Sequence, residues 1–374
     1  MNTIDTSDNI KGNSEVNVSK FGVAPQLDGY YFSPERAREA RDQGRLLSIR
    51  IEPSFRCNLR CEYCYNKNYQ SLPDEISYSE LEDIIYQAKE LGAESIVNIG
   101  GGEPTIYPRF KDLTIFINSL GMVPVIFTNA QTMTKDLAKF LFDNNVSVII
   151  KFDSLTESIQ DSLSGVKGAH RNIMQGLDNL LKAGYAHTKS DQKLKLGASF
   201  VISKKNAHEV VGLWKFCRER KIFPNLEMMT PNETGTNAEK NLLSRQEWKE
   251  IKMQLLEIDR NDYGFDWLPF TPLVGSGCFQ LMYSFYITAR GFVRPCAAIE
   301  VEYANIKDYS LKNIMKLPFY QMARNIDKHL QGKCGGCKHI LNCLGCRGMA
   351  FSIGVNNGKN PTTALCGEDP SCFK

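Results

Sequence analysis

From Leu47 to about Phe265 the chain repeats one pattern six times: a short run of β-branched residues, a loop, and a stretch whose apolar residues recur with helical periodicity. Each helical stretch is long enough to cross back over a sheet, so the repeat predicts parallel strands wrapped by helices. A complete barrel of this kind has eight units. The predicted fold class is therefore α/β, an open, partial (β/α)6 TIM-like barrel. The strands are predicted near residues 49–51, 95–99, 123–127, 146–152, 196–202 and 226–229.

Several helix starts carry local signals. Ser77 with Glu80, and Ser244 with Glu247, have the spacing of a capping box. Ser33 predicts the start of a further short helix before the barrel. Because chemistry gathers at the carboxyl ends of parallel strands, a functional site is expected in the loops that follow the strands.

The sequence predicts three parts: residues 1–46 as a flexible tail and short helix, 47–264 as the barrel, and 265–374 as a cysteine-rich module. The module has too little apolar content for an independent core, so metal is expected to organise it. Within it, residues 283–293 are predicted to form a hairpin with Arg290 and Gly291 at its turn. The module is expected to close the open side of the barrel.

Composition narrows the function classes. The net charge is +3 with scattered lysine and arginine, which argues against a nucleic-acid or anionic-membrane partner. Residues 1–23 lack the apolar core of a signal peptide, and no apolar run approaches the roughly 18 residues of a spanning helix. We therefore expect a cytoplasmic protein in which the 12 cysteines stay reduced and available to metals. Cys217, on the apolar face of a predicted helix, is expected to belong to the core.

Three cysteines, Cys57, Cys61 and Cys64, fall within one loop directly after the first predicted strand. Three thiolates this close can hold three irons of a cubane cluster and leave the fourth iron without a protein ligand. The alternatives are a zinc site completed by a distant ligand, or buried free thiols. Zinc sites usually bring cysteines in C-x2-C pairs, which the x3 and x2 spacing here does not match.

The C-x3-C-x-aromatic-C loop, with Tyr63 as its aromatic residue, resembles that of the radical S-adenosylmethionine (SAM) superfamily. A Gly-Gly-Glu-Pro sequence at residues 101–104 follows the second strand, as it does in that family. The resemblance implies a [4Fe-4S] cluster on the three cysteines with SAM bound at its open iron. The family's SAM contacts correspond here to Tyr63 near the adenine, to Gly100, Gly101, Gly102 and Glu103 at the ammonium, and to Asp153 and Ser154 at the ribose.

The C-terminal cysteines resemble the SPASM module that follows many radical SAM cores and binds two auxiliary [4Fe-4S] clusters. The resemblance implies an outer cluster on Cys334, Cys337, Cys343 and Cys366, and an inner one on Cys278, Cys296 and Cys346. The fourth inner ligand is either Cys372 or an open position for substrate. One departure is that two residues, instead of three, separate Cys343 from Cys346. The alternative is a zinc knuckle on Cys334, Cys337, Cys343 and Cys346, with or without His339.

The resemblance further implies reductive SAM cleavage to a 5′-deoxyadenosyl radical, with electrons from a donor such as flavodoxin or ferredoxin. The radical would abstract hydrogen from a peptide in a net oxidation or cross-linking, or from a small molecule such as an aminocyclitol, sugar or cofactor precursor. Ala297 follows Cys296 where some protein-oxidising relatives have an aspartate, which weakens an analogy to sulfatase maturation. No catalytic base is assigned. A third hypothesis is a non-enzymatic zinc or iron–sulfur scaffold.

Overall fold

The computed structural model describes residues 21–66, 68–186, 193–231, 238–274 and 277–374. Its strands are β1 (Gln26–Leu27), β2 (Ser48–Ile51), β3 (Ser95–Asn98), β4 (Val123–Thr128), β5 (Ser147–Lys151), β6 (Lys193–Leu194), β7 (Leu196–Ile202), β8 (Phe223–Met228), β9 (Ser284–Ile287) and β10 (Val293–Arg294). Its helices are α1 (Pro34–Asp42), α2 (Tyr78–Glu90), α3 (Phe110–Ser119), α4 (Lys135–Asp143), α5 (Glu157–Ser164), α6 (Ala169–Leu180), α7 (Val210–Glu219), α8 (Ala238–Asn241), α9 (Arg245–Ile258), α10 (Gln280–Tyr283), α11 (Leu311–Ile314), α12 (Pro318–Arg324), α13 (Gly332–Gly335), α14 (Arg347–Asn356) and α15 (Pro361–Cys366).

One eight-stranded sheet, in the order β10-β9-β2-β3-β4-β5-β7-β8, forms the centre of the fold. All its neighbouring strands are parallel except β9 and β10. The six predicted strands are present, although β8 begins at Phe223 and not near residue 226. The first and last strands of this order, β10 and β8, do not pair with each other, so the sheet is an open partial barrel, as predicted. The capping boxes at Ser77 and Ser244 and the cap at Ser33 are confirmed.

The predicted hairpin supplies strands to this sheet. β9 and β10 pair in antiparallel fashion around a turn in which Gly291 has φ of 85°. β9 also pairs in parallel with β2, at the edge that the six barrel strands leave open. The cysteine-rich segment is thus continuous with the core sheet, which brings its cysteines close to the barrel.

The amino-terminal segment closes the bottom of the barrel. Leu27 and Tyr30 are buried against Val97, Val125 and other inward-facing residues of the strands. Gly22, earlier in the same segment, bridges to Phe265. The apolar face of this segment fills the end of the barrel where the strands begin. Residues 1–20 lie outside the described part of the chain.

The carboxyl-terminal module has an apolar core, but it shares that core with α1. Ala37 and Ala40 of α1 pack with a buried set from the module: Phe279, Leu281, Met282, Ile299, Phe351 and Leu365. The module therefore has more apolar support than its sequence indicated, because the supporting helix lies over 200 residues earlier in the chain. Cys217 is buried in the barrel core, as predicted. Among the described residues, no helix combines the length and apolar character needed to cross a membrane.

Candidate functional site

The first three cysteines lie on a loop at the carboxyl end of β2. Hydrogen bonds fix this loop to α5, from Arg60 N to Ser164 O at 3.0 Å and from Glu62 N to Leu163 O at 3.0 Å. The side chain of Asn58 in the same loop accepts a hydrogen bond from Asn129 Nδ2, just beyond β4, at 2.7 Å. The loop is therefore held over the mouth of the barrel by two neighbouring units.

The three thiols share one site. Burial raises the pKa of Cys57, Cys61 and Cys64, that of Cys64 to about 11. The charges of Cys64 and Cys57 further raise the pKa of Cys61. Thiols that oppose each other's ionisation in this way are stabilised as thiolates when they bind cations, so this donor set fits an iron–sulfur cluster.

The glycine loop after β3 packs directly on the cysteine loop. Gly102 N donates to Ser54 O at 2.8 Å, and Glu103 N donates to Arg56 O at 2.8 Å. A Cβ on Gly100 would lie 1.9 Å from the Tyr286 hydroxyl oxygen. The glycines are thus needed for contact between two parts of the protein, in addition to any approach to a ligand.

Glu103 fixes the end of β4. Its Oε1 accepts from the Thr105 and Thr128 hydroxyls, each at 2.6 Å, and its Oε2 accepts from Asn129 N at 2.7 Å. Burial raises the pKa of this carboxyl group, and the hydrogen bonds act in the opposite direction. Oε1 also accepts from Thr105 N, so Oε2, with one donor, has the greater remaining capacity for a ligand ammonium.

Tyr63 and Asp153 lie together beside the cysteine loop. The Tyr63 hydroxyl donates to Asp153 Oδ2, and Val201 N donates to Asp153 Oδ1 at 2.8 Å. Lys151 Nζ lies 3.6 Å from Asp153 Oδ1. Ser154 instead donates to Glu209 at the start of α7. The structure therefore brings Tyr63 and Asp153 to one place and gives the Ser154 hydroxyl a partner outside it.

Sequence reasoning missed Glu52, which connects the two loops to the C-terminal hairpin. Its Oε1 accepts from Gly101 N at 2.9 Å and from the Tyr65 hydroxyl at 3.2 Å, and also from Tyr286. Its Oε2 accepts from Ala289 N at 3.0 Å. Burial raises the pKa of Glu52. An inward-facing acid directly after a buried strand was the available signal.

A chain of polar side chains continues from this site into the barrel. Asn225 Nδ2 donates to Glu227 Oε1 at 2.7 Å and lies 3.3 Å from Ser199 Oγ, while the Tyr31 hydroxyl donates to Asn225 Oδ1 at 2.9 Å. Lys151 Nζ reaches the same Ser199 hydroxyl at 3.3 Å. Burial opposes the charge of Lys151, but Asp153 and Glu227 outweigh it and raise its pKa. The barrel interior thus presents polar and charged groups beneath the three thiols.

A second cysteine group contains Cys278, Cys296 and Cys346. Burial raises the pKa of Cys346, and the charges of Asp369, Cys278 and Cys296 add to the effect. Cys346 caps α14, and its Sγ accepts from Met349 N at 3.4 Å. A helix N-terminus favours a thiolate, so this group also fits a cluster.

A third group contains Cys334, Cys343 and Cys372. Burial raises the pKa of Cys343 to about 11, with added effects from the charges of Asp369, Cys372 and Cys334. Cys337 belongs with them, because its charge acts on Cys372. Asp369 N donates to Cys334 Sγ at 3.3 Å, and Cys372 N donates to Asp369 O at 3.2 Å.

Cys366, the fourth ligand predicted for the outer cluster, is buried in the module core, and its Sγ lies 3.8 Å from Met322 Sδ. The charges of Cys334 and Cys337 act to raise the pKa of Cys372, whereas the charge of Arg347 acts to lower that of Cys366. The His339 ring packs on Phe270 with centroids 4.4 Å apart. Within the described ranges, no three His, Cys, Asp or Glu side chains are arranged to hold a single metal ion.

A parallel barrel with three thiols at the carboxyl edge of its sheet, and two further cysteine groups after it, defines an iron–sulfur enzyme. The family model of the radical SAM superfamily matches residues 51–191, and that of SPASM, an iron–sulfur cluster-binding domain, matches residues 278–338. The chain belongs to the radical SAM superfamily and carries a SPASM domain. Its cofactors are accordingly a SAM-binding [4Fe-4S] cluster, SAM and auxiliary iron–sulfur clusters.

The relatives cover most of the chain. The AdoMet-dependent heme synthase of Oleidesulfovibrio alaskensis is 22% identical, over 90% of this chain and 90% of its own length. The mycofactocin maturase MftC of Mycobacterium tuberculosis is 25% identical, over 86% of this chain and 82% of its own. SuiB of Streptococcus suis bound to S-adenosylmethionine has a TM-score of 0.67 at 20% identity, covering 91% of this chain and 82% of that one. This likeness shows the shared fold.

Proposed function

We propose that this radical SAM enzyme abstracts hydrogen from a peptide and so starts a net oxidation or cross-linking in the maturation of a ribosomal peptide or protein. The observation that carries the proposal is a cavity of about 230 Å3 at the carboxyl ends of β7 and β8. Met229 and Trp248 line it from the barrel side, and Met349 and Ile353 line it from the module side. An apolar cavity between the barrel and the module suits a side chain and its attached backbone.

Two solved structures of similar fold support a peptide. One shows SuiB of Streptococcus suis bound to precursor peptide SuiA, with a TM-score of 0.67 at 19% identity over 91% of this chain and 80% of that one. The other shows anSMEcpe with bound AdoMet and Cp18Cys peptide, with a TM-score of 0.63 at 20% identity over 82% of this chain and 90% of that one.

We assign the ligands by the three groups of thiols. Cys57, Cys61 and Cys64 would hold the SAM-binding cluster, Cys278, Cys296 and Cys346 the inner auxiliary cluster, and Cys334, Cys337, Cys343 and Cys372 the outer one. The barrel would span residues 47–264 and the SPASM module 265–374, with β9 contributed by the module to the sheet.

When bound, SAM and its cluster supply a 5′-deoxyadenosyl radical that takes hydrogen from an unactivated carbon. The chain's own residues position SAM and exclude water. Glu103 Oε2 or the glycine-loop carbonyls would accept from the SAM ammonium, and the Tyr63–Asp153 pair would face its nucleoside. The segment that contains Leu27 and Tyr30 closes the far end of the barrel, which keeps solvent from the reacting carbon.

The reductant would be a flavodoxin or ferredoxin in the cytoplasm, where the cysteines stay reduced. The first test is iron content and dithionite-dependent 5′-deoxyadenosine release by anaerobically reconstituted protein. Wild type should hold about twelve irons, and a C57A/C61A/C64A variant about eight with no nucleoside release. C217A is the matched control, because that buried thiol lies in the barrel core. Nucleoside release by the triple variant would overturn the proposal.

A small molecule is the second candidate substrate. Two buried or half-buried cations, Arg50 and Lys151, face the confined barrel interior, which suits an anionic small molecule. The heme synthase named above is also similar to this chain over 90% of its length. The two candidates are separated by adding cell extract to the SAM-cleavage assay before and after protease digestion. Stimulation that protease abolishes supports the peptide, and stimulation that survives supports the small molecule.

A further inference from the structure

Arg347 lies between the two C-terminal cysteine groups. It is the first residue of α14 and directly follows Cys346 of the inner group. Its Nη2 lies 3.6 Å from Cys334 Sγ of the outer group. Its Nη1 donates to the carbonyl oxygens of Leu365 at 3.1 Å and Gly367 at 2.5 Å. The guanidinium is thus fixed by backbone on one side and faces a cysteine sulfur on the other.

The position is costly for a positive charge. Arg347 is only 3% exposed, and its Nε–H has no acceptor within the described residues. It also stands at the first turn of a helix, where the helix dipole disfavours cations. A buried guanidinium must be compensated by an anion.

The neighbouring carboxylate is committed to other donors. Asp369 Oδ2 accepts from Cys346 N at 2.7 Å, and its Oδ1 accepts from Ser371 N at 2.9 Å and from the Ser371 hydroxyl at 2.6 Å. The sulfur of Cys334 is therefore the group that Arg347 faces, and it carries negative charge when it ligates a cluster. A charge-assisted hydrogen bond of this kind is stronger than a neutral one.

We propose that Arg347 is a positioning residue that raises the reduction potential of the outer auxiliary cluster through its contact with Cys334. This inference rests on the proposed assignment of Cys334 to that cluster. Each added electron makes a cluster more negative, so a buried cation bonded to a ligand sulfur stabilises the reduced form. Lysine is a poor substitute, because one ammonium cannot reproduce the planar fork that holds two carbonyls and a sulfur together.

The experiment uses R347Q, R347K and R324Q in the C57A/C61A/C64A background, which removes the SAM-binding cluster and leaves the auxiliary clusters. Arg324 is the matched control, because it is buried and bonded to the Arg45 carbonyl oxygen at 2.8 Å, and none of its hydrogen-bond partners among the described residues is a cysteine. Iron and sulfide are counted first. The midpoint potentials are then measured by a dithionite titration followed by electron paramagnetic resonance.

R347Q should shift the reduction equilibrium of one auxiliary cluster about tenfold toward the oxidised form, which is about 59 mV for one electron. R347K should shift it in the same direction by less, and R324Q should leave both potentials at the parent values. If R347Q binds too little iron to titrate, R347K decides. A parent potential in the deciding variant, or an equal shift in R324Q, would overturn the inference. SAM cleavage is measured separately in protein that keeps Cys57, Cys61 and Cys64. A failure of the proposed function can therefore be told apart from a failure of this inference.

Discussion

Gly102 lies against the backbone of Arg56 so closely that a Cβ on the glycine would stand 1.9 Å from the Arg56 carbonyl oxygen. This contact and the hydrogen bonds on either side of it join the glycine loop and the cysteine loop into one unit. The geometry of the SAM-binding site therefore depends on a position that need not touch SAM.

We expect G102A to separate the two loops. The added methyl has no room beside backbone atoms, so the change should cost about 1–3 kcal/mol of stability and reduce SAM cleavage by about 100-fold. The rate of 5′-deoxyadenosine formation and the iron content measure this. G22A is the control, because the nearest atom to its Cβ would be 3.9 Å away. A wild-type rate in G102A would contradict the coupling of the loops.

The C-terminal cysteines give a second prediction. C372S should lose the outer auxiliary cluster and lower the iron content by about four atoms per chain, because it removes one of four ligating thiols. C366S should retain its iron and lose only core packing against Met322. Iron analysis and the electron paramagnetic resonance spectrum of the reduced protein distinguish them. The reverse result would return Cys366 to the ligand set.

A third prediction concerns the buried acid that joins α7 to the turn after α9. Asp259 accepts from Trp214 Nε1 at 2.8 Å and Trp267 Nε1 at 2.9 Å, and it forms two hydrogen bonds with Arg218. D259N leaves the guanidinium of Arg218 buried without its counter-ion, so we expect the free energy of unfolding to fall by about 3–5 kcal/mol. Anaerobic denaturant unfolding measures it.

The matched control for this change is D262N. Asp262 pairs with Lys215 at 3.0 Å, but both side chains are more than two-fifths exposed, so its loss should cost at most about 1 kcal/mol. Equal midpoints for D259N and D262N would show that the buried network contributes little.

Removal of iron gives a fourth prediction. Residues 331–343 are all exposed or only partly buried, so burial alone cannot hold this segment in place. Chelation of iron should therefore abolish its amide protection in hydrogen exchange, while β3, β4 and β5 keep theirs. Protection that persists in residues 331–343 after iron removal would mean that backbone contacts suffice to order them.

The local features of the fold were predictable from sequence because they depend on short-range patterns. The six barrel strands follow from the periodicity of apolar residues. The caps at Ser77 and Ser244 follow from a serine and a glutamate three positions apart. The pairing of β9 with β2 and the packing of α1 on the module join distant segments, and no local pattern encodes them.

The same distinction applies to the site. The spacing of Cys57, Cys61 and Cys64 was informative because all three lie on one loop. The choice between Cys366 and Cys372 depends on where the chain turns after α15, and a cysteine spacing does not encode that turn. Glu52 was missed because its four partners come from three separate parts of the chain.

The pairing of β2 with β9 also has a consequence during synthesis. Ser48 and Ser284 meet across these strands, with hydroxyl oxygens 3.2 Å apart, although 236 positions separate them in sequence. At ordinary translation rates the ribosome takes on the order of 10–50 s to cover that interval. Until β9 is made, one hydrogen-bonding edge of β2 stays open beside the cysteine loop. The nascent chain thus exposes an unpaired strand edge next to three unligated thiols, and closure of that edge waits for β9 to be made.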